Sequence, residues 1–295
     1  MSQSNENSFQ IQRLRSYSSV FSRIAFTELI KYGEKRHFHQ IYQHYDSSDS
    51  CNEGTTLVSF LNHVYRALAK SYRCEYIYKN EIINSLLLKK YGTDKTIAFN
   101  EFKVKNSIVD IAMFNGESKA FEIKTELDTP HRLNGQICDY TRLFQKCYIV
   151  IPEEKLYNYI NYIGPNVGII LLKYVKRHIE LYEYREAVSN ANIDPEMVMS
   201  CLRTEEYKNI VNTFYGAIPD VNDFQICKQQ ISNIPDSNLQ ELFLQEIEKR
   251  KNCSKLLNEV PNVVRQICLS MNLNKKTIDI LIKKLKIRNI VPNVK

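Results

Sequence analysis

Ser107-Ile108-Val109-Asp110-Ile111-Ala112-Met113 and Lys119-Ala120-Phe121-Glu122-Ile123-Lys124-Thr125 decide the reading of this chain. Both runs are short and apolar, and Asn115-Gly116-Glu117-Ser118 between them carries turn chemistry. A β-hairpin is the expected structure. Side chains alternate along a strand, so Glu122 and Lys124 share one face while Phe121 and Ile123 take the other. By the same parity Asp110 goes with Ile108 and Ala112, away from Val109, Ile111 and Met113.

An acid inside an apolar strand is costly unless it is paired or binds a metal. Here two acids and a lysine sit inside two adjacent apolar strands. Two carboxylates projecting to one point suit a hard divalent cation, with water and phosphate oxygens filling its remaining positions. A lysine one strand period from the second carboxylate can orient or deprotonate an attacking water and offset charge on a transferring phosphoryl group. A bound metal lowers the pKa of its water and shields the phosphate. These residue types in this pattern are equipment for phosphodiester hydrolysis.

Asp110, eleven intervening residues and then Glu122-x-Lys124 resemble the PD-(D/E)XK nuclease superfamily, the restriction-endonuclease-like fold. The likeness is nearest to uncharacterised bacterial and phage-borne members with a run like Glu122-Ile123-Lys124-Thr125-Glu126-Leu127-Asp128. Val109 stands where the naming proline would be. The resemblance covers about residues 72–151, where the expected order is helix, strand, hairpin, helix, strand. It implies an α/β fold with a restriction-endonuclease-like core, a mixed sheet flanked by helices. It also implies a metal-binding glutamate from the first helix and a glutamine from the second helix that touches water or phosphate. Helical phase, at about 100° per residue, favours Glu75 over Glu81 for the first role, and Gln136 matches the second. Glu101, on the preceding strand, is either another acid near the metal or an exposed strand residue. Glu126 and Asp128 are either secondary ligands or a rim.

The chain has 295 residues, enough for one large domain or two modest ones. It is 43% hydrophobic and 25% charged, the balance of a soluble globular protein. A net charge of +7 is compatible with a nucleic-acid partner. The eight cysteines form no CxxC pair, which argues against a zinc ribbon or redox motif. The polar start Met1-Ser2-Gln3-Ser4-Asn5-Glu6-Asn7 lacks the apolar core of a signal peptide, and no apolar run has membrane-spanning length. The expected compartment is a reducing cytoplasm.

Three regions are expected: a helical N-terminal region over 1–71, the nuclease-like core over 72–185, and a helical C-terminal region over 186–295, basic at its end. Residues 1–9 read as a frayed tail, 11–45 as helical, Asp46 to Gly54 as a loop, and Thr55 or Thr56 to Lys70 as a helix. His37, His39 and His44 read as surface histidines, since no acid or cysteine completes a ligand set. In the helix from about Tyr72 to Tyr91, Lys79 lies one turn past Glu75 and would pair with it or approach phosphate. A strand follows over 96–104. After the hairpin, Thr129 and Pro130 suit a helix cap and first turn, with Leu133, Ile137, Tyr140 and Phe144 as the buried stripe and Arg132 and Gln136 on its edge. Strands are expected over 146–151, 167–174 and 178–184, and a helix over 154–162. Near the end, 263–268 and 278–286 would be two helices around a turn at 272–274. With Lys275, Lys276, Lys283, Lys284, Lys286 and Arg288 they form either a helix-turn-helix-like nucleic-acid element or a solvated basic face.

The function expected is a Mg²⁺-dependent nuclease (Mn²⁺ as substitute), acting on DNA rather than RNA, in defence, mobile-element or DNA-processing settings. Asp110 and Glu122, with Glu75 and the carbonyl of Ile123, would bind the metal, while Lys124 activates water and Gln136 assists. A homodimer is compatible with the reading. The alternative is a catalytically inactive nuclease-like fold that binds nucleic acid or a protein partner.

Overall fold

In a computed structural model of the protein, residues 2–46, 56–176, 178–217 and 224–287 are described. In chain order the helices α1 (Ser2–Ser19), α2 (Arg23–Tyr32), α3 (Arg36–Tyr45), α4 (Leu57–Ser71) and α5 (Glu75–Ile82) come first. Then follow strands β1 (Ile97–Val104), β2 (Ser107–Phe114) and β3 (Ser118–Ile123), helix α6 (Leu133–Thr141), strand β4 (Lys146–Pro152), the one-turn α7 (Leu156–Tyr159), and strands β5 (Gly168–Val175) and β6 (His178–Arg185). Helices α8 (Pro195–Cys201), α9 (Thr204–Tyr215), α10 (Phe224–Ser232), α11 (Asp236–Glu248), α12 (Arg265–Ser270) and α13 (Lys275–Leu285) complete the order. The chain divides into two compact units, neither contiguous in sequence. The first takes Met1–Lys90, Lys173–Glu180 and Cys253–Lys295, and the second Tyr91–Leu172 and Leu181–Asn252.

The first unit is helical. Tyr17, Phe26, Leu29, Phe38, Leu57, Leu61, Val64 and Leu68 form its core from α1 to α4, each fully buried. Ser22 caps α2 by accepting from the Ala25 amide, and Thr56 caps α4 by accepting from the Ser59 amide. The helix α1 starts at Ser2, so residues 2–9 of the expected tail are helix; Phe9 meets the Tyr45 ring with centroids 5.6 Å apart. Helix α5 continues without a break into a π-wound segment, Ile83–Tyr91. That change of pitch is invisible to a phase argument made at α-helical spacing. The turn between α12 and α13 carries Asn272 at φ 45°, and α13 packs Ile278, Leu281 and Leu285 against α2 and α4. The expected loop over 47–54 and Arg288 lie outside the described residues.

The second unit is built on a six-stranded mixed sheet in the order β1-β2-β3-β4-β5-β6, flanked by helices. The pairs β1–β2 and β2–β3 are antiparallel, while β3–β4 and β4–β5 are parallel. The hairpin turn falls at Asn115 to Glu117, where Gly116 takes φ 77° at no steric cost. Six of the seven residues of β4, and every residue of β3, are buried, as befits strands with neighbours on both sides. Ala112 and Ala120 are small and adjacent in register, and the backbone of α6 packs beside them over β2 and β4. Pro130 does start the helical run, as a 3₁₀ turn before α6, but the Thr129 side chain makes no capping hydrogen bond.

Candidate functional site

Register brings the hairpin acids together. The β2–β3 ladder ends at Ile111↔Phe121, and one step further Asp110 comes level with Glu122. The amide of Ile123, which a continued ladder would give to a β2 carbonyl, donates instead to Asp110 Oδ2 at 2.8 Å. On the far side β3 stays in the sheet, with the Lys124 amide donating to the Val150 carbonyl at 3.0 Å. Pairings on either side, Asn100↔Ile111 and Phe102↔Val109, put Glu101 level with Asp110 on β1. Glu101 is exposed and its φ of 56° is left-handed, a conformation a non-glycine residue adopts at some cost.

Lys124, just past the end of β3, turns its ammonium to Glu122 Oε1 at 2.7 Å and to Gln136 Oε1 at 3.0 Å. Tyr140 donates to the other oxygen of Glu122, Oε2, at 2.8 Å. Gln136 and Tyr140 are one turn apart on α6 and face the same way. Three hydrogen bonds thus link Gln136, Lys124, Glu122 and Tyr140 in a chain, with Glu122 2% exposed and Lys124 9%. Burial, then the negative charge of Glu122, pushes the Tyr140 phenol far above its usual range, so it is a donor at any physiological pH. Ser107 Oγ donates to Asp139 and ties α6 to the start of β2.

The hairpin places Asp110, Glu122 and Lys124 in one neighbourhood, with Ile123 in the same chain segment, and α6 brings Gln136 to Lys124. Glu75 lies in the first unit, where its side chain is 58% exposed and pairs with Lys79 at 2.5 Å. Glu81, which phase put further from the buried arc, is the more buried of the two and accepts from the Tyr65 hydroxyl. Asp128 closes a turn after β3, accepting from the Thr125 amide at 2.7 Å and from the Thr125 hydroxyl at 2.8 Å. The Arg132 side chain lies outside the described residues. Sequence reasoning placed Tyr140 only in the buried stripe. Its spacing of four from Gln136 was the available signal for a polar role. Among the described residues, no group of three or more His, Cys, Asp or Glu side chains gathers where it could hold a metal ion. Nor, among those residues, is any helix long and apolar enough to cross a membrane.

A family model described as bacteriophage P4 protein cII matches residues 68–275. Protein cII of Enterobacteria phage P4 is 25% identical over 138 residues, which are 46% of this chain and 52% of that protein. The chain spans about half the length of the curated relative it matches. Among solved structures, a protein of unknown function from Silicibacter pomeroyi aligns over 43% of this chain and 86% of its own, at 11% identity and a TM-score of 0.28.

Proposed function

The chain belongs to the bacteriophage P4 protein cII family, and for this member we propose a metal-dependent nuclease with a restriction-endonuclease-like core, hydrolysing phosphodiester bonds, DNA before RNA. The observation that carries the reading is that Asp110 lies level with Glu122 one step past the end of the ladder, with Lys124 and Gln136 bonded to each other beside them.

The donors at the hairpin are all oxygen: two carboxylates and the Ile123 carbonyl. That set suits a hard divalent cation such as Mg²⁺, completed by water and phosphate oxygens. Asp110, Glu122 and the Ile123 carbonyl would hold it, and when bound it supplies a water of lowered pKa and screens phosphate charge. Lys124 holds an ammonium beside the Glu122 carboxylate, where it can donate to a water or a phosphate oxygen. Gln136 orients that ammonium through its Oε1. Tyr140 fixes the Glu122 carboxylate from its other oxygen. The phage family is compatible with a defence, mobile-element or DNA-processing role.

A second reading draws on the same hydrogen bonds. Both oxygens of Glu122 already accept hydrogen bonds from protein donors, which also suits a catalytically inactive fold that binds nucleic acid or a protein partner. One experiment separates the two: purified protein and Lys124→Ala are incubated with labelled single- and double-stranded DNA and RNA, in Mg²⁺, Mn²⁺ or EDTA. Cleavage that needs both metal and Lys124 is the expected result. Binding without cleavage under every metal would give the second reading its place.

A further inference from the structure

The first unit contains a cavity of about 350 Å³ that the hairpin chemistry does not use. Its walls come from α4, the end of α5, the π-wound segment, the head of β6 and residues 262–265, all within that unit. A π-helix bonds i to i+5 and is rare, and where it occurs it is frequently at a functional site. Here it turns Asn84, Ser85 and Lys89 toward one space.

Three cations line that space: Arg66, Lys89 and Arg265. Among the described residues, no carboxylate lies within ion-pair distance of any of them. Arg265 is held firmly, with Nε donating to the Leu257 carbonyl at 3.0 Å and Nη1 to Asn84 Oδ1 at 2.9 Å. A guanidinium presents five donors, so most of this one's capacity is left for a ligand. Asn84 is itself anchored, through its amide, to the Asn262 carbonyl. Burial lowers the pKa of Arg265 while the charge of Glu81 acts the other way, and a bound oxyanion would add to that support. The single lining carboxyl, Glu81, accepts from Tyr65 and is raised in pKa by burial. It leaves the cavity net positive while offering an acceptor for a hydroxyl.

We propose that this cavity binds a small phosphate monoester with a hydroxyl-bearing body, a sugar phosphate or a nucleoside monophosphate. Arg265, Lys89 and Arg66 would take the phosphate, and Glu81 would take a hydroxyl. The volume lies in the small-ligand range, roughly 300–1,000 Å³. Charge-assisted bonds to guanidinium and ammonium favour the phosphate over an uncharged group.

The test is titration calorimetry on the full chain with ribose 5-phosphate, adenosine monophosphate, inorganic phosphate and adenosine. At least one of the two monoesters is expected to bind more tightly than inorganic phosphate, and adenosine not to bind. Which ester binds identifies the source. Lys89→Met and Arg66→Met, both at exposed side chains, are each expected to weaken that ester about tenfold with an unchanged unfolding temperature. Arg265→Met is a third variant, kept apart because its hydrogen bonds also serve the fold. The proposal is overturned if neither ester binds, if inorganic phosphate binds as tightly as both, or if Lys89→Met and Arg66→Met bind like the parent.

Discussion

The hydroxyl of Tyr140 sits 2.8 Å from Oε2 of Glu122 and 2.7 Å from the carbonyl oxygen of Ile108, and one phenolic proton serves both acceptors. The arrangement locks α6 to β2 and orients the Glu122 carboxylate in one bond network.

Tyr140→Phe removes that proton and leaves a buried carboxylate oxygen without its donor. A loss of about 1–3 kcal/mol in stability is expected, the range for a buried bond to a charged acceptor. Urea unfolding measures it. Cleavage by the variant, if the nuclease reading holds, should fall while Lys124 and Gln136 remain in place, and binding of the nucleic-acid substrate should change less than turnover.

Lys124→Met strands Glu122 in the interior, and breaking a buried ion pair costs about 3–5 kcal/mol. Adding Glu122→Gln should restore a large part of that loss, because the remaining groups are neutral. A double-mutant cycle by chemical denaturation reads the coupling directly. Full additivity of the two substitutions would show that the Lys124–Glu122 pair contributes no shared energy.

Alkaline pH should unfold the protein through its tyrosines. Burial first of all raises the phenols of Tyr17, Tyr65, Tyr76, Tyr140 and Tyr148, and takes Tyr91 and Tyr159 to about 12. An unfolded tyrosine ionises at about 10, so above that pH the folded state holds more protons than the unfolded one. Stability from these groups is whole below about pH 10 and falls as pH rises through the folded values. With no tryptophan in the chain, tyrosinate absorbance is free of an indole background. Ionisation of these seven and loss of helical circular dichroism should coincide; ionisation with the fold intact would contradict the burial described.

Gly168→Ala should be severe. A Cβ there would lie 2.4 Å from the Tyr148 ring and 2.8 Å from the Ala187 amide nitrogen. Tyr148 is its register partner on β4 and stacks on Phe121 of β3, with centroids 5.3 Å apart. Relief requires moving the ring off Phe121 or the backbone away from β5, and overpacking of this kind costs about 1–3 kcal/mol or more. Thermal unfolding gives the answer.

The hairpin was legible because alternation in Ser107 to Thr125 is a local signal, and parity alone put Glu122, Lys124 and Asp110 on known faces. The position of Gln136 on the edge of the α6 stripe was legible because α6 keeps α-helical pitch. Glu75 and Glu81 were ranked by that same pitch, yet the segment after Ile82 winds as a π-helix and the more buried acid is Glu81. The polar role of Tyr140 depends on a helix docking beside Ala112 and Ala120, a tertiary event with no period in the sequence. The left-handed turn at Glu101 and the clearance at Gly168 are likewise set by neighbours far along the chain.

The interleaving of the two units has a consequence for biosynthesis. A ribosome delivers every strand of the sheet, and the helices through α11, before it has made α12 and α13. The second unit can therefore close during translation, whereas α2 and α4 must wait with the apolar face that α13 covers still bare. Nascent chains stalled at Asn252 would carry the complete hairpin site on a closed sheet, together with an unfinished helical partner prone to chaperone capture. Premature termination near that point should thus yield a protein recognised by quality control through its N-terminal residues, the earliest ones made.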